Sequence, residues 1–268
     1  MKFVLFILVL KIFSSDILIS ATLPNSIDKK ISLQIGEELV YNVSYGPVTI
    51  GEIKLKVIGQ KEKNGKNLYL TQGFINSNDY LPFVNVHYVF YSEIDEDGYS
   101  HFFSGLDTKN PKEHHFQDYI FNYSENEILI ERGNRTKKQT YFKGKDETFV
   151  KQQDGLSLFY FARINLFSKE KNILPTYINE TKGNVFINFK GNKKSIKINS
   201  AKHSFSTLEL DGKINIQGIF GLKGPFQGWF SNDNAAIPIK AKLQVLIGSV
   251  DIELKSWKRH GWNPPKGN

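Results

Sequence analysis

The chain has 268 residues, 40% hydrophobic and 13% aromatic, enough to bury a sizeable core within a single domain. It contains no cysteine, which excludes disulfides, thiolate catalysis, thiolate metal sites and lipid attachment through a cysteine. The formal charge is +8, but only four of the 35 basic residues are arginine and the lysines are spread along the whole chain, a pattern that argues against nucleic-acid binding.

The opening MKFVLFILVLKIF has a basic start at Lys2 and an apolar run from Phe3, followed by small and polar residues at Ser14, Ser15, Ser20 and Ala21. This is the pattern of a secretory signal peptide, expected over residues 1–21 and to be cleaved after Ala21. Its apolar run is roughly half of the about 20 residues that a spanning helix needs. The protein is therefore expected to be exported, without a transmembrane span once the signal is removed; an uncleaved signal would leave it membrane-associated. A polar linker over 22–34 precedes one β-rich domain over 35–258, and a proline-bearing tail, 259–268, is expected to be loosely packed.

Leu39, Tyr41, Val43 and Tyr45 alternate with polar residues, as do Ile53, Leu55 and Val57 after a turn at Gly46 and Pro47, which predicts a hairpin. Further strands are predicted at 67–74, on either side of Asp97-Gly98, and at 113–123, 127–132 and 139–143. Residues 154–167, DGLSLFYFARINLF, are the one convincing helix: Leu156, Phe159, Tyr160, Ile164, Leu166 and Phe167 share one face, while Leu158, Phe161 and Ala162 cover much of the other. Such a helix must be buried nearly all round. Asp154 stands where a carboxylate can accept from the first free amides, as N-cap. Beyond it a loop with Pro175 is expected, then strands with turns near Gly191 and at Asp211-Gly212, and a closing pair, 237–246 and 249–257, meeting at Gly248. The fold class is thus all-β and mainly antiparallel: a strongly curved sheet or incomplete barrel with one buried helix covering it. An outer-membrane barrel also alternates, but the buried helix and lysine-rich outer faces argue against it.

Three stretches, GEELVYNVSYGPVTIGEIKLKV, DGLSLFYFARI and GWFSNDNAAIPIKAKLQVLIGSVDIELKSW, resemble in order and spacing a family of exported bacterial proteins, the domain of unknown function 3108. The resemblance spans residues 35–257, and departs from the family pattern at the tryptophan expected near Tyr45 and at the basic residue expected where Ala236 stands. It implies a β-rich protein of the periplasm or extracellular space and supplies no catalytic residues.

Arg163 projects from the apolar helix and needs a partner at its tip; Asp233, in FSNDNAAIP, is the expected carboxylate of a structural ion pair. No Gly-x-Ser-x-Gly elbow is present, and adjacent His114 and His115 point to opposite faces of a strand, so neither a catalytic residue, a metal site nor a cofactor is expected. The sequence supports a non-enzymatic envelope protein that holds a lipid-like or acidic amphipathic ligand between sheet and helix, lined by Tyr88, Phe90, Tyr160, Arg163 and Trp229. A scaffold with a filled core that binds an envelope protein partner is the alternative, and a glycan- or lipid-acting hydrolase a third.

Overall fold

Period-two alternation governs this chain, because a strand with one apolar row can bury it only by joining a sheet that curls around that row. The computed structural model describes residues 33–80, 85–216, 223–245 and 248–268. The signal peptide expected at 1–21 and linker residues 22–32 lie outside them. The first eight strands are β1 (Glu38–Tyr45), β2 (Val48–Lys63), β3 (Lys66–Ser77), β4 (His87–Ile94), β5 (Ser100–Asn110), β6 (Glu113–Asn122), β7 (Glu127–Asn134) and β8 (Gln139–Glu147). After helix α1 (Ser157–Ile164) come β9 (Lys171–Ile178), β10 (Thr181–Ile196), β11 (Phe205–Ile214), β12 (Gly224–Ser231), β13 (Pro238–Gln244) and β14 (Ser249–Lys258).

All fourteen form one antiparallel sheet in the order β8-β7-β6-β5-β4-β3-β2-β1-β14-β13-β12-β11-β10-β9. Two meanders therefore meet where β1 pairs with β14, and β8 and β9 are left as the edges. The sheet does not close. It coils, so that the β9 edge tucks against the inner face of β6 to β8: Tyr177 packs edge-to-face on Tyr119 at 5.1 Å, and Lys182 pairs with Asp146 at 2.5 Å. Bulges at Val40/Tyr41, Arg132/Gly133 and Phe189/Asn192 add the local bending that such coiling requires. Gly212 permits another close approach, since a Cβ there would lie 2.0 Å from the Phe186 carbonyl oxygen and 2.5 Å from the Phe226 ring.

Several local signals are overridden by pairing. The turn expected near Gly191 is instead a bulge: β10 runs through it, with Gly191 at φ +66°, and Lys190 and Gly191 are skipped in its pairing with β11. Asp211-Gly212 likewise lies inside β11 rather than in a hairpin turn. The segment expected as a loop around Pro175 is β9, where an edge position tolerates a residue without an amide hydrogen. The tail is not loose: Trp262 packs on Trp257, and the Ser206 amide donates to the Pro265 carbonyl at 2.8 Å. Its prolines and polar end concealed an aromatic anchor.

Candidate functional site

Residues 148–170 carry the chain from one sheet edge to the other through the inside of the coil, and α1 lies on that path. The helix is shorter than the apolar stretch that encodes it, spanning Ser157–Ile164, with Leu156 rather than Asp154 at the N-cap position. Asp154 nevertheless fixes the helix entrance from two residues upstream. Its Oδ1 accepts from the amides of Leu156 and Ser157 at 2.6 and 2.7 Å, and its Oδ2 from the hydroxyls of Ser92 and Ser100, both at 2.6 Å. Burial raises its pKa despite these four donors. The far side of the entrance is set by Gly98, whose φ of +86° and a would-be Cβ contact of 2.9 Å to Phe161 Cα leave room for no other residue.

Arg163 does not pair with Asp233. Its guanidinium makes a fork to Glu37, Nη1 to Oε1 at 2.5 Å and Nη2 to Oε2 at 3.0 Å, and donates to the Ala235 carbonyl at 2.9 Å. Arg259 from the tail closes on the same carboxylate. Burial alone would raise the Glu37 pKa, but Arg163 and Arg259 outweigh it and hold the carboxyl below its ordinary value. Asp233 instead caps the turn before β13, accepting from the amides of Ala235 and Ala236, and takes the Trp262 indole at 2.8 Å. Asp233 spends one oxygen on its own turn and the other on Trp262, whereas Glu37, just before β1, extends its carboxylate inward to the guanidinium.

Beneath α1 the inner sheet face borders a partly open chamber of about 420 Å³. It is walled by aliphatic and aromatic side chains, among them Val43, Ile53, Leu158, Ile187, Leu210 and Ile252. One continuous run of the sheet contributes to it, β3-β2-β1-β14-β13-β12-β11-β10, drawn from the two ends of the chain, which is why no single segment of sequence displays it. The hydroxyl of Tyr41, a buried lining residue, has no hydrogen-bond partner among the described residues. A second chamber, of about 840 Å³, lies inside the β4 to β8 curl and shares Val86, Gly155 and Ile178 with the first. Its walls are mixed: Tyr88, Phe90 and Phe103 form a stacked series with centroids 5.6 and 5.8 Å apart, and Asp107, Gln117 and Arg132 add polar groups.

Of the residues expected to line a ligand site, Tyr88 and Phe90 lie on the larger chamber. The other three line neither. Tyr160 is buried with its hydroxyl donating to the Lys56 carbonyl at 3.0 Å, Arg163 is consumed by Glu37, and Trp229 lies on the opposite face of β12 from inward-facing Gly228 and Phe230. Sequence reasoning missed Glu37, Tyr41, Gln117 and Arg132. The alternation of β1, which places Leu39, Tyr41 and Val43 on one face, carried a signal for Tyr41 alone. Among the described residues no group of three or more His, Asp or Glu could hold a metal ion, and no helix is long and apolar enough to cross a membrane.

A family model described as a protein of unknown function, DUF3108, matches residues 40–255 of the chain. No curated protein sequence matches it. Among solved structures, a β-barrel-like protein of the domain of unknown function DUF1849 from Brucella abortus is similar over 85% of this chain and 98% of its own, with a TM-score of 0.50 and 9% identity. A candidate exported protein with a YmcC-like fold from Bacteroides fragilis aligns over the same shares, with a TM-score of 0.37 and 9% identity. The first likeness is one of fold.

Proposed function

The chain belongs to the DUF3108 family, and on that premise we propose that it is a non-enzymatic, exported protein of the bacterial envelope that holds the apolar chain of a lipid-like ligand between its coiled sheet and α1. The observation that carries this reading is the chamber of about 420 Å³ beneath the helix. Binding sites for small apolar ligands are concave, largely preformed, of this order of size, and lined by hydrophobic side chains with few polar groups. The opening residues, patterned as a signal peptide, support export. No nucleophile or acid-base pair is needed for holding a chain, and the buried charges of Arg163 and Glu37 neutralise each other as a structural pair. A scaffold with a filled core is less well supported, since two chambers occupy the interior.

Native mass spectrometry of the protein purified from its own compartment without detergent, with solvent extraction in parallel, tests the reading. A reproducible adduct of lipid mass is expected, and Ala241→Trp, which fills the apolar chamber from β13, should remove it. A bare protein with nothing above background in the extract would overturn it.

A further inference from the structure

We propose that the two chambers form one bipartite site for a single amphiphile, its alkyl chain in the smaller and a neutral, hydroxyl-rich headgroup of the glycosyl type in the larger. This rests on the reading that the smaller chamber holds a chain. Three residues, Val86, Gly155 and Ile178, border both chambers, and none carries a polar side-chain group. A chain crossing that boundary passes no polar side chain of these three residues.

The larger chamber has the composition that a sugar ring requires. Tyr88 lies on its inner wall, with Phe90 and Phe103, 6% and 4% exposed, stacked behind it. Ring faces of this kind pack against the apolar side of a pyranose, while amides and carboxylates satisfy its hydroxyls. Those groups are present as the Gln117 amide and Asn179, joined by one long hydrogen bond of 3.4 Å, and the Asp107 carboxylate, whose Oδ1 also accepts from the Lys109 amide at 2.9 Å. Asn179 is fixed there by a two-residue turn in which it and Glu180 have φ of +51° and +55°, between Ile178 and Thr181. That strained turn is tied down by the Glu180 amide donating to Tyr119 Oη at 3.2 Å and by Arg132 Nε pairing with Glu180 at 3.0 Å.

The charges argue against an acidic headgroup. Arg132, the arginine on this chamber, is already paired with Glu180 and stacked over the Phe142 ring at 4.5 Å. An anion entering would face the Asp107 carboxylate, and the charge of Arg132 is already shared with Glu180. Tyr141 and Phe142, both on this chamber, are 53% and 40% exposed, so its β7–β8 side reaches solvent. A ligand thus sits with its polar end at the surface of the β7–β8 pair and its chain inward.

The test compares four probes on the detergent-free chain by titration calorimetry, each below its micelle-forming concentration: dodecyl maltoside, dodecanol, dodecyl phosphate and maltose. Dodecyl maltoside is expected to bind at least tenfold more tightly than dodecanol or dodecyl phosphate, and maltose alone not measurably. Gln117→Leu should bring the maltoside down to the affinity of dodecanol without changing dodecanol itself, and Asp107→Ala carries the same comparison if the first variant fails to fold. Equal binding of maltoside and dodecanol, or tighter binding of dodecyl phosphate, overturns the bipartite site while leaving the chain-binding reading intact. No binding of any dodecyl probe overturns both.

Discussion

Arg163 shows how one buried charge is made tolerable. An unpaired guanidinium in this interior would cost several kcal/mol, and the fork to Glu37 with a carbonyl at its flank removes most of that penalty. Removing Glu37 strands Arg163, whereas Glu37 keeps Arg259 when Arg163 is removed, so Glu37→Ala is expected to cost about 3–5 kcal/mol in urea unfolding and Arg163→Ala less. The double variant should show coupling of at least about 1 kcal/mol, whereas Arg163→Ala combined with Asp233→Ala should be additive. Additivity in the first cycle would sink the pairing. Because the folded Glu37 pKa lies below its ordinary 4.5, its contribution is complete above pH 4.5 and declines as pH falls through the lower folded value. Thermal melts at stepped pH should show this acid-side loss in the native chain and a flatter profile in Glu37→Gln.

At the scale of elements, the turn between β4 and β5 supports the helix. Asp95 Oδ1 accepts from the amides of Asp97 and Tyr99 at 3.2 and 2.9 Å, and Oδ2 meets Lys151 at 2.9 Å and His101 at 3.2 Å. Burial opposes ionisation here, but His101, Lys151 and the Tyr99 amide prevail and bring the pKa down to about 2. The stabilisation is therefore present above 3.8, Asp95's unfolded value, and is lost between there and about 2 as the pH falls. Asp95→Asn should remove on the order of 2 kcal/mol at neutral pH and abolish that part of the acid transition. Gly98, in the same turn, backs directly onto Phe161, so Gly98→Ala is expected to cost more than about 1 kcal/mol and to raise hydrogen exchange across 157–164. Unchanged exchange there would mean that the turn does not hold the helix.

For the molecule as a whole, closure depends on ties between distant parts of the chain rather than on a sealed barrel. The outer edge, β8, keeps its exposed rim charged with Lys143 and Lys145, while β9 is tucked inward. The tail fastens the seam where the meanders meet: Arg259 reaches Glu37, Trp262 packs on Trp257 with centroids 5.5 Å apart and donates to Asp233, and residues near Pro265 and Gly267 pair with β11. Truncation after Lys258 is expected to lower stability by about 3 kcal/mol, read as an earlier urea midpoint with an unchanged m-value. A midpoint within error of the full chain would make the tail a passenger.

The sequence by itself determined the class of fold and the single buried helix, because alternation at period two and an apolar stretch without a wet face are local properties that no later packing can reverse. It determined also that Arg163 had to be paired, since the cost of burying that charge follows from its neighbours along the helix. What it could not determine was the partner: Glu37 lies 126 residues away, and Glu37 and Asp233 both stand in stretches that resemble the family, so the pattern does not choose between them. The same separation hid the chambers, whose walls come from strands at opposite ends of the chain order, and it misplaced Tyr160 and Trp229, whose facing depends on how the sheet coils. Turn signals at Gly191 and Asp211-Gly212 were legible and wrong for a related reason. A glycine that permits a turn also permits a bulge or a close approach within a strand, and only the neighbouring strand, placed by the tertiary structure, decides between them.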